Sequence, residues 1–232
     1  MSGVTPRKII LGVIAICLAI LFLSLGGWQV RRLSEHQAHN AFLASRRFGP
    51  ILALDSLPAD TGEAHFRRVR VTGSYDYAHE IIYTLRGRNG SPGVNILTPL
   101  LRNGKETVVL VNRGWVYSPD GTTVDLNPWR EADTLNAVGF VETFPTQGPF
   151  PKPNPTRPRA FRRLERAALA KQLPYPIANY YVVLTDSSSS ASAPPRVEPL
   201  PLDEGPHRAY AIQWFSFAAI SIIGLVIFIR RT

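Results

Sequence analysis

A chain of 232 residues, 45% of them hydrophobic, is long enough to bury one core between flanking segments but not obviously two. Its formal net charge of +9 comes from basic residues scattered through strand-like and loop-like stretches, which argues against nucleic acid as a partner and fits a domain held near anionic lipid headgroups or acidic partners. The only cysteine, Cys17, lies inside an apolar run, so no intramolecular disulfide is available and cysteine usage does not report the compartment.

Residues 9–28 form the first apolar segment. A helix rises about 1.5 Å per residue, so roughly 20 apolar residues cross a hydrocarbon core of about 30 Å. Arg7 and Lys8 ahead of the run, with Ser24 and Gly26 near its end, have the look of a secretory signal. The run is longer than a signal core, however, and continues through Trp28 and Gln29 into Arg31 and Arg32, an aromatic and basic anchor expected of a retained helix.

Residues 29–206 are expected to form one extramembrane, mainly-β domain. It opens with a helical continuation over residues 31–47, which offers Leu33, Phe42 and Leu43 to one face and is ended with the help of Pro50. Strands are predicted at residues 67–75, 80–86, 94–102, 106–117, 134–144 and 178–185, where Val, Ile, Tyr and Phe alternate with Gly and Asn punctuation. Asn103-Gly104 predicts a two-residue type I′ hairpin, since both central positions there need positive φ. These strands suggest a curled antiparallel sheet or small barrel, interrupted by an amphipathic helix over residues 161–172. Pro-rich loops flank that helix, and residues 186–206, with Ser187 to Ser190 and several prolines, read as a flexible tether.

The tether leads to a second transmembrane helix, residues 210–229. The fold class is thus a membrane protein in which two transmembrane helices flank one mainly-β domain with one or two helices. Charges on either side of each span nearly balance, so orientation rests on the long central loop, which translocates largely regardless of charge. Both termini are expected in the cytoplasm and the domain in the periplasm of a bacterial inner membrane, or in the intermembrane space if the membrane is mitochondrial.

Catalytic motifs are lacking. There is no Gly-x-Ser-x-Gly elbow, no His-Glu-x-x-His helix and no phosphate-binding loop, and the carboxylates are sparse and unpaired. The chain is therefore expected to bind or escort a ligand, not to turn one over. His36 and His39, spaced i, i+3 on a helix, can share one face, yet they have no cysteine and no clear acidic third ligand beside them. They read as surface histidines, and His65 and His79, at strand or turn edges, as hydrogen-bonded or exposed rings. Met1 and Cys17 are poor material for a copper(I) carrier, which wants soft sulfur ligands.

His207 differs by its position, a few residues before the second apolar run, with Tyr210 and Trp214 one and two turns along. Two readings stand there. The imidazole either flanks the helix start or ligates haem iron at the membrane interface, where Arg31, Arg32 and Arg208 lie at similar depth to meet propionates.

Gly27-Trp28-Gln29 followed by Arg32-Leu33, then Thr98-Pro99-Leu100, then Val111-Asn112-Arg113-Gly114-Trp115-Val116, then His207-x-x-Tyr210-Ala211-x-x-Trp214-Phe215 occur in this order across nearly the whole chain. In these motifs the sequence resembles the surfeit-locus family of cytochrome c oxidase assembly factors. The resemblance implies an inner-membrane protein with two transmembrane helices that binds haem a and assists its insertion into, or stabilisation in, cytochrome c oxidase subunit I. It assigns His207 as the axial iron ligand, with Trp28 and Gln29 lining the same crevice, and haem a synthase as a further partner. A scaffold that stabilises oxidase assembly intermediates without touching haem is the alternative. Arg113 and Trp115 match motif positions, with either a functional role or a structural one: an indole packed in the sheet and a guanidinium satisfying carbonyls or a carboxylate. The sequence departs from the family pattern at Ser34-Glu35-His36, where a Trp-Lys pair is usual, at Pro119, which arrives late, and at Pro206 in place of Asn. Proline is tolerated at a helix start, so the second helix is expected to begin at His207.

Overall fold

Residues 8–27 are almost entirely strong helix formers and apolar residues, and no proline follows Pro6 until Pro50. In the computed structural model, which describes residues 6–149, 156–186, 192–199 and 201–230, they lie in α1 (Pro6–Arg47), a single 42-residue helix. Pro6 sits where its missing N–H costs nothing, and Phe48-Gly49-Pro50 ends the run. The expected continuation over residues 31–47 is thus one helix with the apolar segment. A second helix, α4 (His207–Arg230), begins at His207 as its sequence predicts. The Pro206 carbonyl accepts from the Tyr210 N–H at 3.1 Å, closing the first turn. Both helices are long and apolar enough to cross a membrane. Their serines are satisfied inside the helix, with Ser24 Oγ donating to the Ile20 carbonyl at 2.8 Å and Ser221 Oγ to the Phe217 carbonyl at 2.9 Å.

The chain divides into two compact units, residues 1–44 with 201–232, and residues 45–200. The second is the mainly-β unit: β1 (Leu52–Ala53), α2 (Thr61–Ala64), β2 (Arg68–Tyr75), β3 (Ile81–Tyr83), β4 (Gly93–Leu101), β5 (Val108–Tyr117), β6 (Thr134–Thr143), β7 (Ala160–Phe161), α3 (Arg166–Ala170) and β8 (Ile177–Leu184). Strands β2, β6, β8, β5 and β4 pair in that order, and the end of β4 returns to β2 through Ser74↔Leu101 and Tyr75↔Leu100. The sheet therefore closes into a small barrel, with β3 and β7 extending it beyond β4 and β1 lying along β2. The barrel is not purely antiparallel, because β5 and β8 run parallel.

Alternation along the strands builds two cores. Val69 and Val71 of β2, Val109 and Val111 of β5 and Val182 and Leu184 of β8 share one cluster with Leu100 and Val141, so residues from all five closing strands meet inside the barrel. Leu110, Tyr181 and Val183, the intervening residues, face a second cluster with Phe161, Leu164 and Leu169.

Several expectations need correction. The helix expected over residues 161–172 shrinks to the five residues of α3. The backbone around Phe161 is taken by the sheet, with Ile82 N–H donating to the Arg159 carbonyl at 2.9 Å and Thr84 N–H to the Phe161 carbonyl at 2.8 Å. The strand expected over residues 80–86 stops at Tyr83, since Leu85 has a φ of 58°. Asn103-Gly104 does join two antiparallel strands, but positive φ occurs only at Gly104 (69°), and the turn sits in a longer loop, so it is not type I′. Residues 192–199, expected in a flexible tether, instead run as a strap along β5: the Trp115 N–H donates to the Pro195 carbonyl at 2.8 Å. Ser187 to Ser190 lie outside the described residues.

Candidate functional site

Along α1 the less exposed residues recur at alternating steps of three and four, through Ala19, Phe22, Gly26, Gln29, Leu33 and His36. Along α4 they are His207, Ala211, Trp214, Ala218, Ser221 and Leu225. This is a heptad seam, in which two helices under-wind slightly so that one stripe of each keeps facing the other. The pair is antiparallel. Phe22 stacks on Trp214 at 5.8 Å between ring centroids, and a Cβ on Gly26 would lie 2.7 Å from the Phe215 ring, whereas a Cβ on Gly12, two turns nearer the N-terminus than Ala19, would meet Leu225. Small residues let the backbones approach, as in membrane-embedded helix pairs: Ala218 is 1% exposed.

Towards the start of α4 the seam turns polar. Gln29 is 7% exposed, and its Oε1 lies 2.8 Å from His207 Nδ1. The carbonyl oxygen is an acceptor, so Nδ1–H donates to it, and in the neutral ring Nε2 keeps the lone pair. His36, two turns beyond Gln29, brings its ring to 4.9 Å from that of His207, centroid to centroid, with a 44° tilt. One turn on, Asn40 Nδ2 donates to the Asp203 carbonyl at 3.1 Å and Gln37 Nε2 donates to Glu204 Oε1 at 3.1 Å. These bonds fasten residues 203–205 against α1 just before His207. The Gly205 N–H donates to Asp203 Oδ1 at 2.9 Å, and Gly205 takes a φ of 70° that turns the chain into the helix.

Of the three residues predicted for this site, the structure brings His207 and Gln29 into direct contact. Trp28 stands one residue off the seam and is 50% exposed. Tyr210 likewise precedes a seam residue, Ala211, and in an antiparallel pair these equivalent offsets fall on the same side. Leu11, Leu18, Ile220 and Gly224, at corresponding offsets further along, line an apolar groove on that side. Arg32 shares it by helix phase and pairs with Glu35 at 2.8 Å on the exposed surface, whereas Arg31 and Arg208 fall off it. His36 was not predicted as a member: its spacing pointed to His39, which is exposed, and its true partner is 171 positions away. The seam phase is the signal that unites Gln29 and His36, being seven residues apart.

The Asn-Arg-Gly-Trp motif forms a different structure. Ile96 pairs with Gly114 but Leu97 pairs with Asn112, so Arg113 is the extra residue of a β-bulge. Asn112 Oδ1 accepts from the Gly114 N–H at 3.1 Å across it. The bulge sends the Arg113 side chain inward, where it is fully buried and bonds Glu80 Oε1 at 2.7 Å and Glu131 Oε1 at 3.1 Å, and also donates to the Trp129 carbonyl. Glu131 in turn holds Arg196 of the strap at 2.7 Å. Burial raises the Glu131 carboxyl, but Arg196 and Arg113 outweigh it and hold the group below its ordinary value. Burial dominates at Glu80, whose pKa is raised although Thr98 and Arg113 both donate to it. Trp115 Nε1 donates to the Arg86 carbonyl at 2.6 Å, and its ring occupies the space beside Gly93. The motif thus locks the strap to the barrel, the structural one of its two readings.

Fold and site together define a class: a membrane-anchored β-barrel protein whose two end helices pair antiparallel and hold a histidine at their contact. The chain belongs to the SURF1 family, whose model matches residues 16–219. It is 25% identical over 227 residues to a SURF1-like protein of Monosiga brevicollis, covering 91% of this chain and 84% of the relative. It is 26% identical over 225 residues to surfeit locus protein 1 of Rattus norvegicus, covering 90% of this chain and 72% of the relative. Over 141 residues it is 32% identical to the cytochrome oxidase assembly protein SHY1 of Saccharomyces cerevisiae, covering 58% of this chain and 36% of that protein.

Proposed function

We propose that this chain is a non-enzymatic assembly factor for cytochrome c oxidase which takes haem a as cargo at the α1–α4 site and assists its insertion into, or stabilisation in, subunit I. The barrel then serves to dock the oxidase subunit and haem a synthase, on the periplasmic side of a bacterial inner membrane. The family membership and the yeast relative's name as a cytochrome oxidase assembly protein support the assembly reading. The Gln29–His207 bond carries the haem reading. An imidazole whose Nδ1 is taken by a carbonyl presents Nε2 to a metal, the arrangement found behind metal-bound histidines. Trp28 and Tyr210 supply exposed aromatic surface on one side of the pair for a macrocycle, and Arg32, in a surface ion pair that exchanges easily, supplies a guanidinium for a propionate. Bound there, haem contributes an iron that accepts an imidazole nitrogen; the protein holds and orients it.

The test is the visible spectrum and haem content of the detergent-purified chain from cells that make haem a, beside those of His207→Ala. The variant is expected to lose most of the pigment. Equal haem content and identical spectra overturn the ligand assignment and leave a scaffold role.

A further inference from the structure

We propose that His36 and His207 form a two-histidine clamp for a divalent late transition metal ion of the Cu²⁺, Ni²⁺ or Zn²⁺ kind, fastening α1 to α4. The clamp itself stands apart from the haem reading; only the competition described below rests on it.

Four observations place it. First, the spacing fits. With metal–nitrogen bonds of about 2.0–2.1 Å and a ring centre about 1.1 Å behind its donor atom, two cis imidazoles on one tetrahedral ion have centroids about 5 Å apart. The two rings are 4.9 Å apart. Second, the neutral His207 ring has a ligand's tautomer, since Gln29 Oε1 takes Nδ1–H and leaves Nε2 as the lone-pair nitrogen. Third, apart from the Gln29 bond to His207, the two imidazoles have no hydrogen-bond or ion-pair partner among the described residues. His65 and His79, by contrast, are each committed to a carboxylate, Glu142 at 2.6 Å and Asp76 at 2.7 Å. Fourth, the rings come from opposite helices and are held by the flanking Gln37–Glu204 and Asn40–Asp203 bonds, so the pair is organised before an ion arrives.

Imidazole donors select borderline late transition metals over magnesium or calcium. No group of three or more His, Cys, Asp or Glu residues converges here among the described residues, so water completes the coordination and the ion exchanges readily. The consequence concerns the haem site. His207 Nε2 serves either the clamp or haem iron, so a bound ion closes the site by holding the two helices together through the very atom that haem needs.

The experiment uses the full chain without a histidine tag, stripped of metal in detergent, with Ni²⁺, Zn²⁺ and Cu²⁺ added separately in equilibrium dialysis and thermal unfolding. One equivalent of ion is expected to bind and to raise Tm, because binding to the folded form alone stabilises it. His36→Ala and His207→Ala are expected to abolish both effects, His39→Ala to keep both, and Gln29→Leu to weaken binding about tenfold. Failure of the wild type to bind an ion, or equal binding by His36→Ala, overturns the clamp. In haem-loaded protein, added Ni²⁺ is expected to displace pigment from the wild type but not from His36→Ala. An ion that binds without touching the pigment leaves the clamp standing and overturns the competition; pigment with no ion bound overturns the clamp and leaves the haem reading intact.

Discussion

At the scale of single residues, the buried quartet of Glu80, Arg113, Glu131 and Arg196 shows how much depends on complete pairing. The side chains of Arg113 and Glu131 are 0% and 6% exposed, so a charge stranded there cannot be rescued by water. Removing the Glu131 charge leaves the Arg113 and Arg196 guanidinium groups with Glu80, bonded to Arg113, as the one carboxylate of the quartet. Glu131→Gln is expected to cost about 3 kcal/mol at neutral pH, the usual scale for breaking a buried pair on one side. The pH dependence follows from direction. Because the folded pKa of Glu131 is depressed, its contribution is complete above the unfolded carboxylate range and is lost as pH falls through the lower folded value. The difference in Tm between wild type and Glu131→Gln should therefore be largest near pH 7 and narrow on acidification below about pH 4.5. A gap that stays constant down to pH 3 refutes the assignment.

At the scale of elements, the bulge and the strap are one device. Gly114 has a φ of 149°, and a Cβ there would lie 2.4 Å from the Pro195 carbonyl oxygen. An alanine side chain thus meets backbone on one side and an unfavourable dihedral on the other. Gly114→Ala is expected to destabilise the protein by about 1–3 kcal/mol and to lift the strap, breaking the Trp115–Pro195 bond and exposing Arg196. Limited trypsin digestion reads this directly, as cleavage after Arg196 that is slow in the wild type and fast in the variant. Cleavage at equal rates shows that the strap is held by other means. None of this was legible in the sequence. Prolines and serines mark residues 186–206 as loose, and only the tertiary bonds of Pro195 and Arg196 show why residues 192–199 are fastened. The Asn-Arg-Gly-Trp stretch was legible as a strand, but a bulge is a mismatch with a partner strand, and the partner's register is not written locally.

At the scale of the whole molecule, the features visible in the sequence are those set by local composition: two apolar helices of membrane length, alternating strands between them and a helix start at His207. Long-range features were not visible. Barrel closure depends on two residue pairs between the ends of β2 and β4, and the parallel β5–β8 pairing leaves no local trace. The contact of His207 with Gln29 and His36 likewise needs two segments in register. Its sequence trace is the heptad phase, which runs unbroken from the apolar stretch into the polar one. The membrane seam therefore sets the geometry of the site: packing at Gly26 and Phe215 fixes the helix separation one turn away from Gln29. Gly26→Leu fills the space that the Phe215 ring now occupies, without changing any polar residue. It is expected to spread the helices and separate His207 from Gln29. With Cys17 first replaced by serine, cysteines at positions 12 and 225 report helix proximity, since the Gly12 Cβ position is 3.9 Å from Leu225 Cδ1. Oxidative cross-linking is expected to be efficient in the otherwise native chain and to fall several-fold with Gly26→Leu, together with ligand binding at His207. Full cross-linking with binding lost would place the defect at the ligand site alone; full cross-linking with binding retained would show that the seam does not control the site.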